Sequence, residues 1–475
     1  MGDKRRRAAT AGFALAVLVG AALISFRATY EPDLWWHLAQ GREVASGRLV
    51  RTNLFSFAYP DYPQSYTSWL FDLGSYVLWT RAGPTALQIV QAVAIALTLW
   101  LVAATCRIRS SVAATAAVCA FGWLIIEPRA LPRPHVLSFL GLASCIYLVE
   151  RARSVGHSRP LRWAPVLIAA WANVHVECVF GVAAIGLAGA GECLHPRSLP
   201  RGEAIKVIGT AAVSLLATVV NPYGFGLLGY LYENALVPQF VNIAELLPPY
   251  LPHYRAFYVW SIGLALALVL QWRRVSVADL LILAPFAYLA FSHLRMTPLF
   301  FLVSAPSVAR GIDDLQRFGI DRRAVAATAA AATIFLARVP ITAMVGEIGT
   351  GRPALMPAEF FSEPAMQFAR DHHLTGPVFT SMNLGGFVAW ELYPSAQVFV
   401  DSRLQAYPPE HFRTIIEASK DPQLWAAITA GVDWAVVSRP RVNQLSGVGH
   451  FNPPEWRSAY RDPAVEIFVR GSRWP

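Results

Sequence analysis

The chain has 475 residues, 55% of them hydrophobic and 15% charged, with a formal net charge of +10 and a mean hydropathy of +0.41. Soluble domains carry about 25% charged residues, so the composition excludes an ordinary water-soluble enzyme and points to an integral membrane protein. The basic surplus does not indicate a nucleic-acid partner, because the arginines fall in short clusters between apolar stretches, where they set topology.

In chain order, Lys4 to Arg7 precede an apolar run from Ala8 to Phe26. Either a secretory leader or a retained signal anchor has this form, and Phe26 and Arg27 ahead of a cut after Ala28 suit the anchor better. Counting apolar spans and orienting them by Lys and Arg gives about eleven crossings, with the amino terminus in the cytoplasm. The basic clusters at Arg107/Arg109, Arg151/Arg153/Arg159/Arg162, Arg197/Arg201/Lys206, Arg273/Arg274 and Arg310/Arg317/Arg322/Arg323 then share that side. Trp163 to Leu194 is apolar yet flanked by basic clusters at both ends. Two short helices turning at Asn173-Val174-His175-Val176-Glu177 meet this constraint; one long tilted helix is the alternative.

The opposite connections carry the chemistry-bearing residues. The first outer loop, residues 28–68, opens with Glu31-Pro32-Asp33-Leu34-Trp35-Trp36-His37. Tryptophan pairs anchor at the headgroup level, and an ionisable group at that depth is held for function or by a partner. Asp33 is the candidate base for an acceptor hydroxyl or ligand for a divalent cation; a helix-capping carboxylate is the bland alternative. His37 follows four residues later and shares the helix face. Ser68 to Thr80 reads as an interfacial helix with Asp72 on its polar face.

Further along, Glu127-Pro128-Arg129 and Arg133-Pro134-His135 form a second outer loop, whose guanidiniums suit a phosphate and whose Glu127 suits a metal site with Asp33. Asn173, His175 and Glu177 suit a sugar, a metal or a hydrogen-bonded helix contact, although alternating residues at a turn do not share a helix face and signal a metal weakly. Arg295 lies between apolar stretches and needs an anion, either Glu177 or a ligand phosphate. The cysteines read as small core residues rather than a disulfide framework.

After Thr342 the composition becomes mixed. Short apolar runs at Val378 to Thr380, Gln397 to Val400, Trp434 to Val437 and Val465 to Val469 alternate with helical stretches, predicting a small α/β domain. Asn383-Leu384-Gly385-Gly386-Phe387 and Val400-Asp401-Ser402-Arg403 read as loops at strand ends, where binding residues often sit. The expected domains are residues 1–345, a multi-span transmembrane domain, and residues 346–475, an extracytoplasmic α/β domain. Walker loops, a nucleotide-binding glycine fingerprint following a strand, HExxH and GxSxG are all missing from the sequence.

The acidic first loop Glu31 to His37, the Trp69-Leu70-Phe71-Asp72 to Gly83 helix and the many spans followed by an α/β domain resemble the GT-C class of polyprenyl-phosphate-sugar glycosyltransferases. More closely, the chain is similar to uncharacterised bacterial membrane proteins with an Asp-Leu-Trp-Trp-His-Leu loop. The resemblance implies a multi-pass protein of the bacterial inner membrane that moves a hexosyl or pentosyl group from a polyprenyl-phosphate carrier to an acceptor it does not identify. It assigns Asp33 the role of base or metal ligand, assisted by Glu127, with Mg or Mn as the divalent cation. The remaining substrate-binding candidates are His37, Arg133, His135, Asn173, His175, Glu177 and Arg295. Two other functions remain open at this point: a transporter or flippase of an anionic or lipid-linked substrate, and a membrane-anchored binding protein without catalytic activity. The paired Asp-Glu of mannosyltransferases and the Trp-Trp-Asp-Tyr-Gly motif of oligosaccharyltransferases are not found in this sequence.

Overall fold

The apolar stretches fold as helices, and the mixed carboxy-terminal region folds around a sheet. The computed structural model describes residues 19–21, 25–26, 30–64, 68–236, 244–250, 254–331, 360–439 and 450–471. Lys4 to Arg7, most of the first apolar run and the change of composition at Thr342 lie outside the described residues. The chain forms two compact units, one of Met1–Arg27 with Gln88–Gly346 and one of Ala28–Leu87 with Glu347–Pro475.

In the helical unit, Pro84–Cys106, Val112–Arg129 and His135–Val155 are long and apolar enough to cross a membrane. Shorter apolar helices run over Cys178–Leu194, Arg255–Leu270 and Val277–Ser292. The stretch Trp163 to Leu194 is two helices, Ala164–Ala172 and Cys178–Leu194, broken at Asn173 to Glu177. Asn173 holds the break by donating its amide to the carbonyls of Ala169 at 2.8 Å and Val220 at 2.7 Å. Cys106, Cys119, Cys145 and Cys178 are free and buried.

One arginine counted with the connecting loops is internal. Arg153, 4% exposed, donates to Glu150 at 2.6 Å, Glu192 at 3.0 Å, Asp279 at 2.8 Å and Ser276 at 2.8 Å. These partners come from three other helix or loop positions as well as its own helix. A guanidinium has five donors, so a single buried side chain ties the elements together; its charge is matched inside rather than solvated at a loop.

The sheet unit has five strands, β1 Gly376–Thr380, β2 Ala396–Val398, β3 Trp434–Ser438, β4 Trp456–Arg461 and β5 Val465–Arg470. Their order is β2-β1-β3-β5-β4, with β1 parallel to β2 and β3 and the remaining pairs antiparallel. β4 escaped the sequence pattern because only one of its six residues is buried, which leaves no alternation of apolar side chains to find. The early segment joins this sheet directly. Ser56 bridges Val398, and the Val398 N–H donates to the Phe55 carbonyl at 2.9 Å.

The helix Asp33–Ala45 carries Asp33 in its first turn and Arg42 in its last, matching the helix dipole at both ends. Its indoles correct the sequence expectation of a headgroup belt. Trp35 is fully buried and Trp36 is 6% exposed, and Trp35 packs edge-on against Trp79, Phe361 and Phe387. Asp72 likewise does not face outward. It is fully buried in the helix Trp69–Ala82, where it pairs with His37 because a carboxylate without water needs a charged or hydrogen-bonding partner.

His411 gives this unit a pH dependence. It is 4% exposed, stacked on Tyr407 with ring centroids 5.0 Å apart, and burial lowers its pKa to about 4. The unfolded chain takes up a proton near pH 6.5, whereas the folded imidazole stays neutral until about pH 4. Stability is therefore fully present above pH 6.5 and is expected to fall by about 3 kcal/mol toward pH 4. Denaturant unfolding between pH 4 and 7 checks this, and His411→Phe should flatten that part of the profile.

Candidate functional site

The candidate site of the sheet unit lies where parallel strands end. β1 runs into the helix Met382–Leu392 and β2 into Phe399 to Arg403; in open parallel sheets ligands bind beyond such carboxyl ends. The segment Asn383 to Phe387, expected as a loop, is the start of that helix. Its glycines are a packing device rather than a turn: a Cβ on Gly385 would stand 2.1 Å from the Val400 carbonyl oxygen, and one on Gly386 would stand 3.2 Å from the Trp36 nitrogen. Two helical glycines cost about 1 kcal/mol each; here they let two backbone segments close on one helix.

That close approach sets Asp33 beside Ser402, whose hydroxyl donates to Asp33 Oδ1 at 2.5 Å. Asp33 is half-buried and Glu31 fully buried. The Glu31 carboxylate accepts the Asp33 backbone N–H at 2.9 Å, which fixes the start of the helix. Tyr30 is hydrogen-bonded to Asn383, although burial pushes its phenol up to about 12.

Ser402 is aimed by its neighbours. Asp401 and Arg403, on either side, are both buried and pair through Nη2 to Oδ2 at 2.6 Å and Nε to Oδ1 at 3.0 Å. Arg403 also donates to Asn53 at 2.7 Å and Gln64 at 3.2 Å, and its guanidinium stands 4.9 Å from the Phe55 ring centre. Tyr407 donates its hydroxyl to Asp401 at 3.1 Å. Burial alone would lower the Arg403 pKa; the Asp401 carboxylate outweighs it and raises the value. The alternation inward, outward, inward thus leaves Ser402 directed to Asp33.

His37 is buried, stacked on Trp36 and joined through Nδ1 to Asp72 Oδ1 at 2.6 Å. It braces two helices of the sheet unit.

The other candidates belong to the helical unit, where the structure gathers most of them. Arg129 and Arg133 converge on one oxygen of Glu245, at 2.8 and 3.0 Å. Burial would raise the Glu245 carboxyl; the two guanidiniums outweigh it and hold the group well below the usual range. His135 bonds through Nε2 to the Arg129 carbonyl at 2.7 Å. His175 shares a hydrogen bond with Ser138 at 2.8 Å and lies 3.3 Å from Glu177. Against the burial that would raise it, Glu177 is lowered to about 2, chiefly by His175, with His135 and Arg295 contributing. Arg295 is exposed on a short 3-10 turn, and Glu127 starts another. Asn173 serves the helix break. Sequence reasoning missed Glu245, which sits in a long connection without a motif around it. It named the segments holding Ser402 and Asn383 without singling out either side chain.

Among the described residues, no group of three or more His, Cys, Asp or Glu side chains is gathered for a metal ion. No all-protein site for Mg or Mn is formed among the described residues. Mg²⁺ bound through one carboxylate relies on water and substrate phosphates for its other ligands.

The mostly helical chain with its carboxy-terminal sheet domain has the fold seen in solved oligosaccharyltransferase structures. The archaeal oligosaccharyltransferase AglB from Archaeoglobus fulgidus, solved with an inhibitory peptide and a dolichol-phosphate, superposes with a TM-score of 0.58 at 13% identity, covering 90% of this chain and 69% of that one. The apo form of the Archaeoglobus fulgidus oligosaccharyltransferase gives 0.59 at 12% identity with the same coverage. No family model matches the sequence, and no curated protein does. At this identity the likeness is one of fold.

Proposed function

We propose that the chain is a membrane glycosyltransferase that moves a hexosyl or pentosyl group from a polyprenyl-phosphate carrier to an acceptor outside a bacterial plasma membrane. The observation that carries this reading is the half-buried Asp33 carboxylate, held by Ser402 where parallel strands end, in a chain with the fold of an oligosaccharyltransferase. AglB was solved with a dolichol-phosphate, which supports a lipid-phosphate donor here. The proposal places the sheet unit outside the cytoplasm, the amino terminus inside, and about eleven crossings in the membrane.

In the reaction, Asp33 takes the proton of an acceptor hydroxyl as that oxygen attacks the anomeric carbon. The bond from that carbon to the phosphate oxygen breaks, and polyprenyl phosphate leaves with the electron pair. Arg133 and Arg295 are the guanidinium candidates for the carrier phosphate, with His135, His175 and Glu177 as their polar surroundings. Glu127 is the candidate assisting carboxylate and His37 the brace of the Asp33 helix.

Purified protein given a polyprenyl-phosphate carrier with a radiolabelled sugar, together with a membrane extract as acceptor source, is expected to transfer label covalently and release polyprenyl phosphate in equal amount. Movement of intact carrier across sealed vesicles with no cleavage would overturn the reading in favour of a transporter.

A further inference from the structure

The helical unit contains an apolar cavity of about 540 Å³ among the helices Val112–Ile126, Arg255–Leu270 and Thr297–Asp314 and residues 320–329. Phe121, Gly263, Leu266, Ile312, Ile320 and Val325 line it. At its floor two helices touch: a Cβ on Gly311 would stand 2.4 Å from the Ala267 Cβ. Around Gly263, by contrast, nothing lies within 4 Å of a Cβ, so the helices part and leave a groove. Leu266 is 60% exposed and Ile320 45% exposed, which opens the groove along one side.

One end of this groove is basic. Arg274 pairs with Asp314 at 3.1 Å, Arg317 with the same carboxylate at 3.5 Å, and Arg322 with Asp313 at 3.6 Å. The Arg274 and Arg317 side chains remain more than half exposed. Each guanidinium has five donors, and these single, mostly long pairings occupy few of them. Arg273, Arg274, Arg317, Arg322 and Arg323 outnumber Asp313, Asp314 and Asp321 at this end.

We propose that the groove holds one acyl chain of an anionic diacyl phospholipid whose phosphate meets Arg274, Arg317 and Arg322. The volume falls within the ~300–1,000 Å³ of ligand sites, and basic pockets between membrane helices take anionic headgroups. Apolar surface gains little by exchanging one lipid tail for another. Selection must therefore come from the charged end, and the occupant is recognised by headgroup.

Native mass spectrometry of the full chain with dioleoyl phosphatidylglycerol and dioleoyl phosphatidylcholine tests this. One phosphatidylglycerol should be retained about tenfold over phosphatidylcholine. The double variant Arg317→Gln with Arg322→Gln should lose the preference, and Gly263→Phe should lose the retained lipid. In the wild type, a phosphatidylglycerol with a diazirine in its acyl chain should label residues 259–270 and 324–329. Equal retention of the two lipids overturns the proposal. So does label landing elsewhere, the result expected if residues 332–359 or a polyprenyl chain fill the groove.

Discussion

Asp33→Asn is expected to lower sugar transfer by about 10²–10⁴-fold, the range a positioned general base supplies, while the sheet unit stays folded. Asparagine keeps the shape of the side chain and an oxygen to accept the Ser402 hydroxyl, which now stands 2.5 Å away. The Glu31 bond to the backbone nitrogen of residue 33 does not involve the side chain. What disappears is the ability to take a proton. Ser402→Ala should act through Asp33 and cost less, about 10- to 100-fold, the worth of a hydrogen bond to a charged group, and Ser402→Thr should restore most of it. Initial rates of label transfer, with circular dichroism as the control for folding, check both. Wild-type rates in Asp33→Asn would remove this carboxylate from the chemistry.

Arg403→Met is expected to destabilise the sheet unit by about 3–5 kcal/mol, since removing one member of a buried pair strands the other charge. The Asp401 carboxylate would keep only neutral donors, and Asn53 and Gln64 would lose the group that ties the early segment to the strand end. For a unit of this size the melting temperature should drop on the order of 10 °C. Transfer should fall with it, because Ser402 then loses its aim. Calorimetry of the purified protein provides the test; a drop of less than a few degrees would mean that the pair is dispensable.

The membrane character, the break at Asn173 and four of the five strands were legible because apolar length and period are local signals. Burial was less so. Trp35 and Trp36 carry the composition of a headgroup anchor, and Trp35 becomes core against Trp79 and against Phe361 and Phe387, more than three hundred residues away. Gly385-Gly386 has the composition of a turn for the same reason: the close approach of Val400 that demands glycine in a helix is not written nearby. The acidic loop drew attention to Asp33 from its residue types alone. Ser402 needed its contact with Asp33, 369 residues away, before its direction meant anything, and Glu245 needed two arginines from a distant loop.

Residues 28–87 belong with residues 347–475, and this has a consequence for how the protein is made. Leu34, Trp35, Leu38 and Phe55 share one hydrophobic core with Val378, Phe387 and Trp434. A ribosome adding ~5–20 residues per second needs roughly 20–75 s after residue 87 to deliver the second half of that core, which ends at Val469. Throughout the wait the early tryptophan-rich segment stays sticky, so its biogenesis calls for a holding factor. A clone beginning at residue 347 would lack those four side chains and should be recovered as aggregate unless residues 28–87 are co-expressed.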